Sequence, residues 1–181
     1  ASTGVTAAGG NGQGNNLNQL SYPTGVTVDP QGNVYVADKD SGRIQKWASG
    51  AIQGETVIQD LGQPQSISLD AGGNLYVLER DNHRIKKYPP NVSTGILVAG
   101  GERGSSANNL NNPQNFILDE IGNIYVSDSE NNRVQKYDFS PQLVVKAGET
   151  AAELLFSGIE DTRDEDDETI ILNTNITNGI L

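Results

Sequence analysis

Apolar and polar residues alternate along three short stretches of the chain, and each stretch follows a turn-forming pair. The first is Gly-Asn-Val-Tyr-Val-Ala-Asp at residues 32–38, and close versions recur at 73–79 and 122–128. Alternation with a period of two is typical of a strand with two different faces, and Gly-Asn is typical of a tight turn. A second apolar strand follows each stretch and opens with Arg-Ile or Arg-Val. The pattern therefore predicts three β-hairpins.

The hairpins belong to a longer repeat. An apolar strand precedes each of them, at residues 25–29, 66–70 and 115–119. A further apolar segment is found at residues 96–101 and 142–148, and residues 4–10 have the same pattern, so we expect outer strands there. The arginines that open the second hairpin strands are 41 and then 49 positions apart. A period of about 40 to 50 residues with four short strands predicts an all-β propeller with three four-stranded blades over residues 1–148.

The repeated sequence resembles a known family. Pro-x-Gly-Val-x-Val-Asp at residues 23–29, the hairpin strand at 32–38 and Arg-Ile-Gln-Lys-Trp at 43–47 together resemble the NHL repeat, which is a propeller blade. The resemblance covers about residues 4–148 and implies a ring of about six blades, within the usual range for propellers. Three blades leave two open ends. We therefore expect either a longer propeller of which this chain is a part, or a homodimer that completes a six-bladed ring.

Residues 149–181 differ from the rest of the chain in charge. They contain nine of the 23 acidic residues and one of the 12 basic residues, and the net charge of the whole chain is −11. Gly-Glu-Thr at 148–150 and Asp-Glu-Thr-Ile at 167–170 resemble the second half of a Calx-β domain, and a decayed fourth blade is the alternative. Because some Calx-β domains bind calcium through an acidic loop, the resemblance implies a Ca²⁺ site. The candidate ligands are Asp161, Asp164, Glu165, Asp167 and Glu168.

Each hairpin also has an acid five positions before its arginine. The pairs are Asp38 with Arg43, Glu79 with Arg84, and Asp128 with Arg133. A catalytic site needs one copy, so three copies favour a structural role in which each acid binds its arginine and nearby turn amides. Three further acids end the first strand of each repeat, and we expect them to bind turn amides as well. These are Asp29, Asp70 and Asp119.

Two other sets of residues carry candidate chemistry. His83 is the only histidine, and we expect it in an exposed turn with a structural or incidental role. One histidine and no cysteine exclude a zinc site built from this chain's His and Cys residues. Trp47, Tyr88 and Tyr137 occupy one equivalent position of the repeat. We expect them to pack between blades, and a stripe of rings that stacks on glycans is the alternative.

These features favour a non-enzymatic binding or scaffold module of an extracellular or cell-surface protein that mediates protein or glycan interaction. The alternative is a fragment of a propeller enzyme, of the metal-dependent lyase or lactonase type, with catalytic residues in blades outside this chain. Residues 1–148 contain 11 basic and 14 acidic residues, which argues against a nucleic-acid partner because phosphate binding needs clustered Lys and Arg. The chain has no apolar run of membrane-spanning length. No cofactor is predicted besides the Ca²⁺ ion.

Overall fold

The structure is a computed structural model that describes residues 2–138, and its regular elements are short strands with two single-turn 3₁₀ segments. Blade one consists of β1 (Pro23–Val28), β2 (Val34–Asp38), β3 (Arg43–Trp47) and β4 (Glu55–Ile58). Blade two consists of β5 (Pro64–Leu69), β6 (Leu75–Glu79), β7 (Arg84–Tyr88) and β8 (Ile96–Gly100). Blade three consists of β9 (Asn115–Leu118), β10 (Ile124–Asp128) and β11 (Arg133–Tyr137). No helix in this part of the chain has the length and apolar character needed to cross a bilayer.

Every blade is an antiparallel meander in which strands pair in the order of the sequence. The predicted hairpins and the all-β propeller architecture are therefore confirmed. The turn between the first two strands explains the Gly-Asn pair: Gly32 has a φ of 80°, which glycine adopts without strain, and its amide donates to the Asp29 carbonyl. The fourth strand of blade three, predicted at residues 142–148, lies outside the described residues.

The prediction of a strand at residues 4–10 is wrong, since the structure has no strand there. The physical reason is the lack of a neighbour. The equivalent segment β8 is a strand because its backbone pairs with β7. Within residues 2–138, no strand lies in the corresponding place beside residues 4–10.

The blades pack face to face through their alternating side chains. The core between blades one and two joins Ala37 and Ile44 of blade one to Ile67 and Val77 of blade two. The next core lies between blades two and three and uses the alternate side chains of blade two, those on its other face. Leu78 and Ile85 of blade two pack there with Phe116 and Val126 of blade three. We call the side of a blade that faces the preceding blade its leading face, and the other side its trailing face.

Two blade faces have no covering blade in the described part of the chain. On the leading face of blade one, Val26 is 65% exposed, although its equivalent Ile67 is buried. On the trailing face of blade three, Val134 is 70% exposed, whereas its equivalents Ile44 and Ile85 are fully buried. Burying an aliphatic side chain of this size stabilises a protein by roughly 1.5–3 kcal/mol, so a segment that covered either face would add stability of this order.

Candidate interaction face

The upper face of the blades is defined by strand pairing. Pro23 pairs with Asp38, and Asp38 pairs with Arg43, so the start of β1 lies at the same end as the turn between β2 and β3. In the other two blades, too, the start of the first strand lies at the same end as the turn between the second and third strands. We call this end the upper face, and it contains the connections 11–22, 59–63 and 101–112 with the turns 39–42, 80–83 and 129–132.

In blade one, the acid and the arginine of the hairpin hold the upper loop in place. Asp38 is fully buried, and its Oδ2 lies 2.8 Å from Arg43 Nε. The other carboxylate oxygen accepts a hydrogen bond from the Ser21 amide at 2.5 Å. The remaining guanidinium nitrogens of Arg43 donate to the carbonyls of Asn15, Asn16 and Gln19. One ion pair therefore fixes both the hairpin and the Gly/Asn-rich loop before it.

Blade three repeats this arrangement atom for atom. Asp128 Oδ2 lies 2.7 Å from Arg133 Nε, and Asp128 Oδ1 accepts from the Asn111 amide at 2.6 Å. Arg133 also donates to three carbonyls of the preceding loop, those of Ser105, Ser106 and Asn109. An arginine can satisfy so many acceptors because its guanidinium carries five N–H donors in a fixed plane.

Blade two differs, because the connection before it is short. Glu79 binds Arg84 through both carboxylate oxygens, at 2.9 and 3.0 Å, and also accepts from the Gly62 amide. Among the described residues, the Arg84 side chain makes hydrogen bonds to Glu79 and none to a loop carbonyl. In blades one and three, carbonyls of the preceding loop are the further acceptors for Arg43 and Arg133. In blade two, the second carboxylate oxygen of the longer Glu side chain takes over this role for Arg84. The sequence difference at position 79 therefore has a structural reason.

The hydrogen bonds shift the pKa values of two of these acids. Burial raises the pKa of the Glu79 carboxyl, but bonds from Arg84, the Gly62 amide and Asn82 outweigh burial, and the net pKa is lowered. The pKa of Asp128 is lowered in the same way, because bonds from Asn131, the Asn111 amide and Arg133 outweigh the cost of burial. Both groups are held as carboxylates, which fits a structural ion pair.

The acids at the ends of the first strands lie at the opposite, lower end of the blades. Asp29 accepts from the amides of Gln31 and Asn33 and from the Asn33 side chain. Asp70 and Asp119 make the matching bonds in their own turns. Close by, a lysine lies over a tyrosine ring in every blade, at 5.5–5.8 Å from the ring centroid. These contacts close the lower turns.

His83 lies at a contact between blades rather than in an exposed turn. Its side chain is half-buried, and its Nδ1 accepts a hydrogen bond from the Asn112 amide at 3.1 Å. Its backbone has a φ of 50°, the left-handed conformation also seen at Gly42 and Asn132 in the other two blades. The expectation of an exposed position was therefore wrong, and the ring joins blade two to the connection before blade three.

The three aromatic residues at one repeat position are covered. Trp47 and Tyr88 are buried, and Tyr88 belongs to the core between blades one and two. Tyr137 is partly buried and packs against the core between blades two and three. No ring face at Trp47 or Tyr88 is open to a glycan, so burial contradicts the glycan-stacking alternative at these positions.

The upper face presents one aromatic side chain that sequence reasoning missed. Tyr22 is 64% exposed, and Lys39 Nζ lies 4.9 Å from its ring centroid. Its φ is 56°, an uncommon value for an aromatic residue, and Gln63 and Asn112 have similar φ values at the equivalent positions. Each of the three residues directly precedes a proline, which opens the first strand in blades one and two and lies two residues before β9 in blade three. That shared position before proline was the available signal for finding Tyr22.

Every blade also has an exposed acid at its upper end. Asp40, Asp81 and Glu130 occupy one repeat position in the turn between the second and third strands, and all three are exposed. Their amides donate to carbonyls of the preceding connections, so the backbone of each turn is bonded to the loop next to it. The upper face therefore combines an exposed aromatic ring with acidic side chains carried on turns whose backbone is bonded to the neighbouring loops.

The predicted calcium ligands lie outside the described residues, and calcium binding there stays a prediction that calorimetric titration with Ca²⁺ would test. Within residues 2–138, no group of three or more His, Cys, Asp or Glu side chains has the geometry to hold a metal ion.

The architecture and the repeated sites define the chain as part of a β-propeller. The NHL repeat model matches residues 20–47, 61–88 and 110–137, so the chain carries three NHL repeats. These matches include the three acid–arginine hairpins. No similar sequence was found among curated proteins.

Several solved structures share the fold. One is described as a nidogen/laminin complex, with 23% identity and a TM-score of 0.54 over 66% of this chain and 44% of that one. Another is virginiamycin B lyase from Staphylococcus aureus, with 13% identity and a TM-score of 0.51 over 69% and 44%. A third is the gluconolactonase XC5397 from Xanthomonas campestris, with 19% identity and a TM-score of 0.52 over 61% and 36%. The chain thus spans less than half the length of each structure, and identities this low show the fold alone.

Proposed function

We propose that the chain is a non-enzymatic binding module of a secreted or cell-surface protein, and that its upper face binds a protein or glycan partner. The single observation that carries this proposal is Tyr22, an exposed ring held outward by a left-handed backbone. The conformation recurs at Gln63 and Asn112 and belongs to the repeat, so what distinguishes Tyr22 is the exposed aromatic ring at this position. The turn stays in this conformation because the surrounding bonds determine it.

The surroundings of Tyr22 support a contact role. The Ser21 amide, one residue away, binds the buried carboxylate of Asp38, and the Ser21 carbonyl accepts from the Asp40 amide. The ring is therefore attached to a rigid backbone, which lowers the entropy lost on binding. Tyrosine is also among the residues that contribute most to interfaces, because a large apolar ring carries a polar tip.

The structural neighbours include proteins that support a binding module and proteins that support the alternative, a propeller enzyme. The nidogen/laminin complex supports a protein partner for a propeller of this kind. The lyase and the gluconolactonase support the alternative, a fragment of a propeller enzyme with its catalytic residues in other blades.

The test uses the full chain and two matched variants. Tyr22→Ala removes the ring from the upper face, and Ile52→Ala removes an even more exposed apolar side chain in the connection after β3, at the lower end of blade one. The three proteins are immobilised and tested against an extracellular-matrix protein panel and a glycan array. We expect at least one ligand to bind the unchanged chain and the Ile52→Ala variant, and to bind the Tyr22→Ala variant at least tenfold more weakly.

Equal binding by the Tyr22→Ala variant would show that the partner contacts another surface. Turnover of gluconolactone or of virginiamycin B by the unchanged chain would contradict the binding module and favour the enzyme alternative. Both substrates follow from the names of the neighbouring enzymes and can be assayed in the same preparations.

A further inference from the structure

One sequence motif lies in a lower turn and takes no part in the upper face. Asn91-Val92-Ser93 lies in the connection between β7 and β8. Because β7 starts at the upper end with Arg84, the connection that follows Tyr88 lies at the lower end of blade two. Asn-x-Ser, in which x is any residue except proline, is the acceptor sequence for N-linked glycans. The geometry of the turn decides whether the folded chain can carry a glycan there.

Blade one forms the same turn with different residues. In blade two the Val92 amide donates to the Pro89 carbonyl at 3.1 Å, and the matching hydrogen bond in blade one measures 2.9 Å. The third residue of the turn is left-handed in both blades, with a φ of 60° at Asn91 and 76° at Gly50. The connections that contain the two turns also have the same length. Asn91 is therefore the structural equivalent of Gly50.

The turn accounts for Asn91 but not for Ser93. Asparagine tolerates the left-handed conformation better than most residues other than glycine, so it can replace Gly50 at this position. Ser93 stands where blade one has Ile52, which shows that the turn does not require a hydroxyl group there. Among the described residues, neither the Asn91 amide group nor the Ser93 hydroxyl makes a hydrogen bond. Both polar groups are therefore available to another molecule.

The exposure of this turn does not depend on the open ends of the chain. Asn91 and Ser93 are exposed, although blade one packs against the leading face of blade two. Gly50 and Ile52 are exposed as well, although blade two packs against the trailing face of blade one. A neighbouring blade on either side thus leaves the tip of this turn uncovered. A large group attached at Asn91 would extend into solvent without displacing any packed side chain.

We propose that Asn91 is an acceptor for an N-linked glycan. The donor is an oligosaccharide joined to a lipid through a pyrophosphate. In the transfer, the Asn91 amide nitrogen forms a bond to C1 of the first sugar and loses one proton. The bond between C1 and the pyrophosphate oxygen breaks, and the lipid pyrophosphate leaves. The inference rests on the proposed function, because only a chain that enters the secretory pathway meets this donor.

The position of the glycan keeps it away from the partner. The turn after β7 lies at the lower end of blade two, whereas Tyr22 lies on the upper face of blade one. The glycan therefore leaves the upper face open. Asn91→Gln should change the affinity for a ligand that depends on Tyr22 by less than twofold.

The test maps glycan occupancy on the full chain, made in cultured human cells with an added secretion signal. A second acceptor sequence, at residues 175–177, lies outside the described residues, so every protein in the test carries Asn175→Gln. Peptide N-glycosidase in heavy-oxygen water converts a glycan-bearing asparagine to a labelled aspartate, and mass spectrometry of the peptides identifies the position. We expect more than half of the secreted chains to carry a glycan at Asn91.

Three matched variants keep the result interpretable. Ser93→Ala leaves Asn91 in place but removes the hydroxyl of the acceptor sequence, and it should abolish the glycan. Ser93→Thr restores a hydroxyl and should retain the glycan. Gly50→Asn combined with Ile52→Ser transfers the motif to the equivalent turn of blade one and should add a second glycan. Circular dichroism checks that each secreted variant is folded.

A glycan at Asn91 of the secreted chain that is absent from Ser93→Ala supports the proposal. Two results overturn it. The first is an unmodified Asn91 in both the secreted and the cell-retained chains. The second is a glycan confined to the retained chains, because the folded turn would then fail to accommodate it.

The two proposals fail separately. A glycan at Asn91 without any ligand in the array would contradict the binding face alone. Binding of a ligand by a secreted chain that is unmodified at Asn91 would contradict the glycan site alone.

Discussion

Blade two and blade three have the same strand pattern, but only blade two is covered on both faces. Ile85 and Val134 follow the arginine of their hairpins in the same way, yet the first is fully buried and the second is 70% exposed. The difference arises from the next blade, which exists for blade two and is missing for blade three in the described residues. The comparison teaches that each repeat encodes a surface whose burial depends on its neighbour.

The two blades also differ in how their arginines are used. Arg133 binds three loop carbonyls in addition to its acid, whereas Arg84 binds both oxygens of Glu79. Both blades have the acid–arginine ion pair, but only in blade three does the arginine also bind the preceding loop. The predictions below use these two contrasts.

The largest expected effect is the loss of a buried side chain. Ile85→Ala should lower the free energy of unfolding by about 2–5 kcal/mol, because it leaves a cavity between blades two and three. Val134→Ala should cost less than about 1 kcal/mol at a protein concentration where the chain is monomeric. Urea unfolding followed by circular dichroism measures both. Equal losses in the two variants would contradict the difference in burial.

The second prediction concerns the acid of blade two. Glu79→Gln removes the charge that Arg84 and the Gly62 amide bind, and should cost about 1–3 kcal/mol at pH 7. Because the folded-state pKa of Glu79 lies below its ordinary value of 4.5, its contribution is present above that value and is lost as the pH falls through the folded-state pKa. The unfolding free energies of the two proteins should therefore converge as the pH falls from 4.5 through the lowered folded-state pKa of Glu79. A difference that is independent of pH would exclude this ion pair as the cause.

A local effect on hydrogen exchange separates the two arginines, beside the global cost of leaving the buried carboxylate of Asp128 or Glu79 without its ion pair. Arg133→Ala frees the carbonyls of Ser105, Ser106 and Asn109, so amide hydrogens in the connection 101–112 should exchange with solvent at least tenfold faster. Arg84→Ala should leave exchange in the connection 59–63 nearly unchanged. Hydrogen–deuterium exchange with mass spectrometry makes the comparison on both variants. Faster exchange of both connections would mean that the arginines act through the blade rather than through the loop.

The smallest effect is expected at Tyr22. Asn112 adopts the same left-handed conformation, which asparagine tolerates better than tyrosine does. Tyr22→Asn should therefore raise the free energy of unfolding by about 0.5–1 kcal/mol while it weakens partner binding. Thermal unfolding of the variant, compared with the unchanged chain, provides the measurement. A lower melting temperature would show that the ring stabilises the fold instead.

The strands and the succession of propeller blades were predictable, because period-two alternation and the 41-residue spacing are local properties of the sequence. The prediction at residues 4–10 was wrong for the opposite reason, since a strand there requires a partner strand that the sequence pattern does not specify. The loop contacts of Arg43 and Arg133 were missed because their acceptors are backbone carbonyls, which every residue type carries. Tyr22 was missed because its exposure depends on a turn conformation rather than on its neighbours' polarity.

The central claim is that the upper face of the chain binds a partner through the exposed ring of Tyr22. Surface plasmon resonance of the full chain, the Tyr22→Ala variant and the Ile52→Ala control, against a ligand found in the array, tests it most directly. The account predicts that the unchanged chain and the Ile52→Ala variant bind alike and that the Tyr22→Ala variant binds at least tenfold more weakly. Equal binding by all three proteins would contradict it.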